Sequence, residues 1–114
     1  MTGQVLFNML ADGTRRRILA LLAAEGELCV CELCAALGET QPKVSRHLGT
    51  LKEAALVQTR RSGTWMFYRL PGDLPHWCDA VLTALTLGGE PALADDRRRL
   101  LAFSGRPARC AELA

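Results

Sequence analysis

The chain has 114 residues, 49% hydrophobic and 23% charged, a balance that excludes disordered and fibrous classes and fits one domain. Its net charge of +2 says little about partners until the cations are placed, but twelve of the fourteen are arginines, and they cluster. No apolar run approaches the roughly 20 residues needed to cross a bilayer, and Met1-Thr2-Gly3-Gln4 carries no basic leader region, so a soluble cytoplasmic protein with no membrane partner is expected.

Val5 to Leu10 predicts a short apolar helix. Asp12 then offers an N-cap for a second helix from Thr14 to Ala24, where Ile18, Leu21 and Leu22 form a stripe at helical spacing, and Gly26 ends it. A third helix starts near Cys29-Val30-Cys31-Glu32-Leu33-Cys34, carries Leu33 and Leu37 inward, and closes at Gly38, a natural left-handed residue. Three of the five cysteines fall within those six positions. A short cysteine cluster in a chain without an export signal points to thiolate coordination or redox chemistry, not to a disulfide framework. If the helix is regular through the cluster, Cys31 and Cys34 share a face, while Cys29 and Cys31 diverge by about 200°. All three sulfurs then reach one ion only if the first turn distorts.

After a three-residue turn, Thr40 can cap a fourth helix, with Pro42 tolerated in its first turn because that backbone N–H has no intrahelical partner. Val44, Leu48 and Leu51 form its core face, leaving a polar, partly basic face on the other side. Two short helices joined by a tight turn describe a helix-turn-helix, whose second helix enters the major groove N-terminus first. Gln41, Lys43, Ser45 and Arg46 are the candidate DNA contacts, joined by His47 nearer the core boundary.

Leu56 to Arg60 and Trp65 to Leu70 alternate and are rich in β-branched and aromatic residues, with Arg61-Ser62-Gly63-Thr64 supplying a turn. They predict a β-hairpin wing on which Arg60 and Arg61, with Arg69, suit phosphate contacts. Further helices are expected from Leu74 to Leu87 and from Pro91 to Phe103, broken by Gly88-Gly89. The fold class is mainly α with a β-hairpin wing (α+β), a winged helix-turn-helix. Residues 1–103 are expected to form the winged helix-turn-helix domain, and 104–114, which include Cys110, a flexible tail.

Several stretches fall in an order that resembles one known family. They are Leu10-Ala11-Asp12-Gly13-Thr14-Arg15 leading into Arg17-Ile18-Leu19, Glu27 to Cys34, Gln41 to Leu48, Leu51 to Val57, and Gly63-Thr64-Trp65 into Tyr68-Arg69-Leu70. Over about residues 4 to 90 the chain resembles the ArsR/SmtB family of metal-sensing winged-helix repressors, specifically its arsenic-responsive branch. One departure is Ala55, where relatives often have glycine, expected only to adjust the turn into the wing. The resemblance implies a homodimer joined through the first and fifth helices, with two recognition helices on double-stranded operator DNA. Two linked modules gain affinity by effective concentration and fix the half-site spacing.

Trivalent arsenic (arsenite) and antimony (antimonite) suit Cys29, Cys31 and Cys34 as inducer, because both are soft and form three-coordinate thiolate pyramids. Zinc, and commonly cadmium, wants four ligands, and no cysteine or histidine precedes Cys29 to supply one. The expected function is a repressor that binds DNA when metal-free and is released by arsenic or antimony, not an enzyme. Two alternatives stay open. One is a cadmium, lead or zinc sensor of the same fold with Cys78 or His76 completing the ligand set. The other is a small thiol oxidoreductase using Cys31-Glu32-Leu33-Cys34, which lacks the βαβ surroundings of that class.

Overall fold

The structure, a computed structural model, describes residues 1–107. Along these residues run α1 (Gly3–Ala11), α2 (Gly13–Glu25), β1 (Glu27–Cys29), α3 (Val30–Leu37), α4 (Gln41–Glu53), β2 (Gln58–Ser62), β3 (Trp65–Arg69), α5 (His76–Ala84) and α6 (Leu93–Ala102). The mainly α fold with a β wing is as the sequence predicts. Local signals set several of the helix ends. Asp12 accepts the Arg15 backbone N–H at 3.0 Å to cap α2, and Gly38, at φ 67°, closes α3 in the left-handed region.

Helix α2 is the centre of the domain. Its Ile18, Leu19, Ala20, Leu21 and Leu22 are all buried, more than the predicted stripe, because α1, α3, α4, α5 and α6 all pack on it. Leu6, Leu33, Leu48, Leu51 and Leu82 complete that core from the surrounding helices. Helix α5 is shorter than expected. It starts at His76, and its continuation widens at Leu85–Gly89, where Leu87 and Gly88 leave helical geometry.

The wing is a three-stranded antiparallel sheet in the order β1-β3-β2, not a lone hairpin. Ser62 pairs with Trp65, so the connection is the two residues Gly63-Thr64, tighter than the four-residue turn expected, and Gly63 takes φ 59°. The unexpected strand is β1, three residues that pair Glu27 with Arg69, Leu28 with Tyr68 and Cys29 with Phe67. So short a strand has no readable alternation of its own and forms because β3 offers it an edge. Ala55, between α4 and β2, sits at φ 61°, a conformation that an alanine Cβ opposes. Among the described residues no helix is long and apolar enough to cross a membrane.

Candidate nucleic-acid interface and thiol site

Helix α4 buries Val44, Leu48 and Leu51 and exposes Gln41, Ser45, Arg46 and Gly49. Lys43 is half-buried, its ammonium 3.1 Å from Glu39. His47 sits at the core boundary, as its position in the helix predicts. It is 8% exposed and lies with the core, three residues after Val44 and one before Leu48. Its Nδ1 is 3.8 Å from the Asp12 carboxylate. Burial pushes this imidazole below the usual histidine value, against the opposing pull of Asp12. His47 therefore sits beside the start of α2 and is not among the exposed side chains of the helix.

On the wing, Arg61 and Arg69 are exposed. Arg60 is engaged within the sheet: Nη2 and Nε donate to the Glu27 carboxylate at 2.7 and 3.1 Å, and its guanidinium lies 4.8 Å from the Phe67 ring centroid. This fork reaches across β3 and braces β1 against β2. The exposed cations of these elements are Arg46 and Lys52 on α4 and Arg61 and Arg69 on the wing.

The thiol cluster is built differently from the regular helix assumed above. Cys29 ends β1 and is the N-cap of α3, with extended backbone at φ −87° and ψ 169°. Its sulfur consequently does not point away from Cys31: the two sulfurs are 2.9 Å apart. Burial pushes the Cys29 thiol up to about 12, and the Cys31 contact adds to the rise. Cys34, on the next turn, is likewise raised by burial first and then by Cys31. Among the described residues no group of three or more His, Cys, Asp or Glu side chains stands ready to hold a metal ion. The Cys29–Cys31 pair is thus already in contact, while the three thiols do not form an assembled ligand set.

Two carboxylates that sequence reasoning passed over hold α3 in place. Glu32 is fully buried; one oxygen accepts the Cys29 backbone N–H at 2.9 Å and the other accepts the Arg106 Nε–H at 2.6 Å. With Cys29 in the place usually taken by serine, this is a capping box, and a residue with Glu three positions later is the signal that could have found it. Arg106 lies in the 104–114 segment that follows α6. Contact with the domain continues past residue 103, whereas Cys110 lies outside the described residues.

At the other end of α3, buried Asp96 of α6 receives Arg17 at 2.6 and 2.9 Å and Arg99 at 2.5 Å. Those arginines also donate to the α3 carbonyls, Arg99 to Ala36 at 2.8 Å and Arg17 to Leu37 at 3.2 Å. Helix α3 is in this way pinned between α2 and α6, one short turn before α4. Near the start of α5, Cys78 is fully buried and His76 and Asp79 are exposed, and none of them joins the cluster.

Residues 12–59 match the model of the bacterial regulatory protein, arsR family. The chain is 46% identical over 107 residues to an arsenic resistance transcriptional regulator, ArsR1, of Pseudomonas putida, covering 94% of this chain and 84% of that protein. The crystal structure of the AntR antimony-specific transcriptional repressor superposes with a TM-score of 0.62 at 35% identity, over 77% of this chain and 78% of that one. A homodimeric winged helix-turn-helix DNA-binding domain from Mycobacterium bovis superposes with a TM-score of 0.63 at 31% identity, over 79% and 80%.

Proposed function

Since this chain belongs to the ArsR family, as a winged-helix DNA-binding repressor and not an enzyme, we propose that it holds operator DNA when ligand-free and releases it when trivalent arsenic or antimony binds Cys29, Cys31 and Cys34. The observation that carries this reading is the placement of three thiols at the start of α3, two with sulfurs 2.9 Å apart, one short turn upstream of the exposed face of α4. Neutral arsenite exchanges its three hydroxyls for three thiolates; three As–S bonds form, and each thiol proton leaves in a water molecule. That exchange releases no net protons, so raised thiols do not oppose it, whereas a divalent cation must displace a proton from each thiol.

Gln41, Lys43, Ser45 and Arg46 are the proposed groove contacts, with Arg61 on the wing; Arg60 contributes through its bracing of the sheet. We take residues 1–103 as the DNA-binding and dimerisation domain. In the dimer, α1 and α5 meet their counterparts, a reading supported by exposed Val5 and Phe7 on α1 and Trp77 on α5. Bringing Cys34 to the Cys29–Cys31 pair shifts the first turns of α3, and α3 passes the change to α4 through residues 38–40. Coupling of about 3 kcal/mol, inside the usual range, weakens DNA binding about 150-fold.

The test is a DNA-binding titration of the purified, reduced protein against duplex from its own promoter region, repeated with arsenite, antimonite, cadmium, lead and zinc. Arsenite and antimonite are expected to release the DNA. Absence of specific duplex binding at physiological salt overturns the repressor reading, and release by cadmium but not arsenite overturns the inducer assignment.

A further inference from the structure

We infer that Arg106 is a positioning residue of the thiol site, acting through Glu32. The inference rests on the inducer reading above and adds to it a residue far from the cluster in sequence. The Glu32 carboxylate, with no exposed surface, accepts hydrogen bonds from both the backbone of Cys29 and the segment that leaves α6. Its bond to the Cys29 N–H sets where the backbone turns from β1 into α3, and that turn determines that the Cys29 sulfur faces Cys31 at 2.9 Å. Its bond to Arg106 contributes to holding the carboxylate in this orientation.

A carboxylate this deep is oriented by its donors, and an N–H···O contact of 2.6 Å from a guanidinium is the strong, charge-assisted kind. Helix α6, from which Arg106 follows, lies against α3 along its length and also grips the α3 C-terminal end through Asp96 and Arg99. Helix α6 and the segment that follows it therefore hold the two ends of α3. The Cys29 end carries the ligands, so displacement of Arg106 is felt as loss of the thiol arrangement. Groups that orient ligands through hydrogen bonds are typically worth about 10–100-fold in affinity for the bound ion.

The experiment compares wild type with Arg106→Gln, Arg106→Lys, Glu32→Gln and the Arg106→Gln/Glu32→Gln pair. Arsenite affinity is read from the ultraviolet absorbance of arsenic–sulfur bonds. Alkylation of each cysteine by iodoacetamide, mapped by mass spectrometry in the absence of arsenite, gives a second readout. Arg106→Gln is expected to weaken arsenite binding at least about ten-fold, with most of the loss recovered by Arg106→Lys. In the Glu32→Gln background the same change is expected to alter affinity by less than about two-fold, the signature of action through one partner.

Without arsenite, Arg106→Gln is expected to speed alkylation of Cys29 about ten-fold by loosening its turn, while fully buried Cys78 stays protected and so reports that the fold is intact. If wild type fails to bind arsenite, the inducer reading falls on its own, and the alkylation pattern still decides the role of Arg106. Unchanged arsenite affinity with unchanged Cys29 alkylation in Arg106→Gln overturns the inference, as does full additivity in the double variant.

Discussion

Replacing Cys29 with serine separates the two roles that residue 29 holds, ligand and N-cap of α3. Its extended backbone is N-cap geometry, and Glu32 already supplies the other half of the box, so a hydroxyl there gains about 1 kcal/mol as a cap. Against that stands burial: the residue is 2% exposed, and exchanging sulfur for a smaller, more polar oxygen loses about 1 kcal/mol. The terms nearly cancel, and Cys29→Ser is expected to stay within about 0.5 kcal/mol of wild type.

Cys78 provides the contrast. It is fully buried and belongs to the apolar core, so the same exchange there costs about 1–2 kcal/mol. Urea unfolding at matched protein concentration reads both values, the matching being needed because dimerisation contributes to apparent stability. Induction runs in the opposite sense: Cys29→Ser is expected to lose most of the arsenite-driven DNA release, and Cys78→Ser to keep it. Equal destabilisation by the two variants would refute the cap assignment. Full release from Cys29→Ser would leave Cys31 and Cys34 as a sufficient sensor.

At Ala55, φ 61° costs an alanine about 1–2 kcal/mol, partly offset by the unfolded-state freedom of glycine, so Ala55→Gly is expected to stabilise by about 0.5–1 kcal/mol in urea unfolding. Arg46→Ala is expected to reduce affinity for operator more than for random duplex, whereas Arg61→Ala weakens both and lowers the salt slope by about one; equal losses on both duplexes for both variants reassign Arg46. For His47 the folded value lies below the ordinary histidine value, so the folded state binds fewer protons than the unfolded one. Its stabilisation is complete above about pH 6.5 and is lost as pH falls, and His47→Gln is expected to flatten that part of a pH–stability curve recorded by urea unfolding.

Most of what depends on neighbours within a few residues was legible in the chain, the Cys29–Glu32 capping box and the tight Gly63-Thr64 turn being local features that were not. Helical spacing of Ile18, Leu21 and Leu22, the Asp12 cap, the Gly38 stop and the apolar stripe of Val44, Leu48 and Leu51 each act over one or two turns, and each appears where the residues put it. The exposed face of α4 and the grouping of three thiols follow from the same local rules. Tertiary structure decided the rest. Strand β1 exists because β3 is beside it, and its presence moves Cys29 out of the helix and onto Cys31.

Arg60 is drawn to Glu27, 33 residues away, Arg106 to Glu32 over 74, and Arg17 to Asp96 over 79. A charged side chain looks the same in sequence whether it meets solvent, DNA or a buried carboxylate. Only packing removes water from Glu32 and Asp96, and a carboxylate without water holds the arginines that reach it.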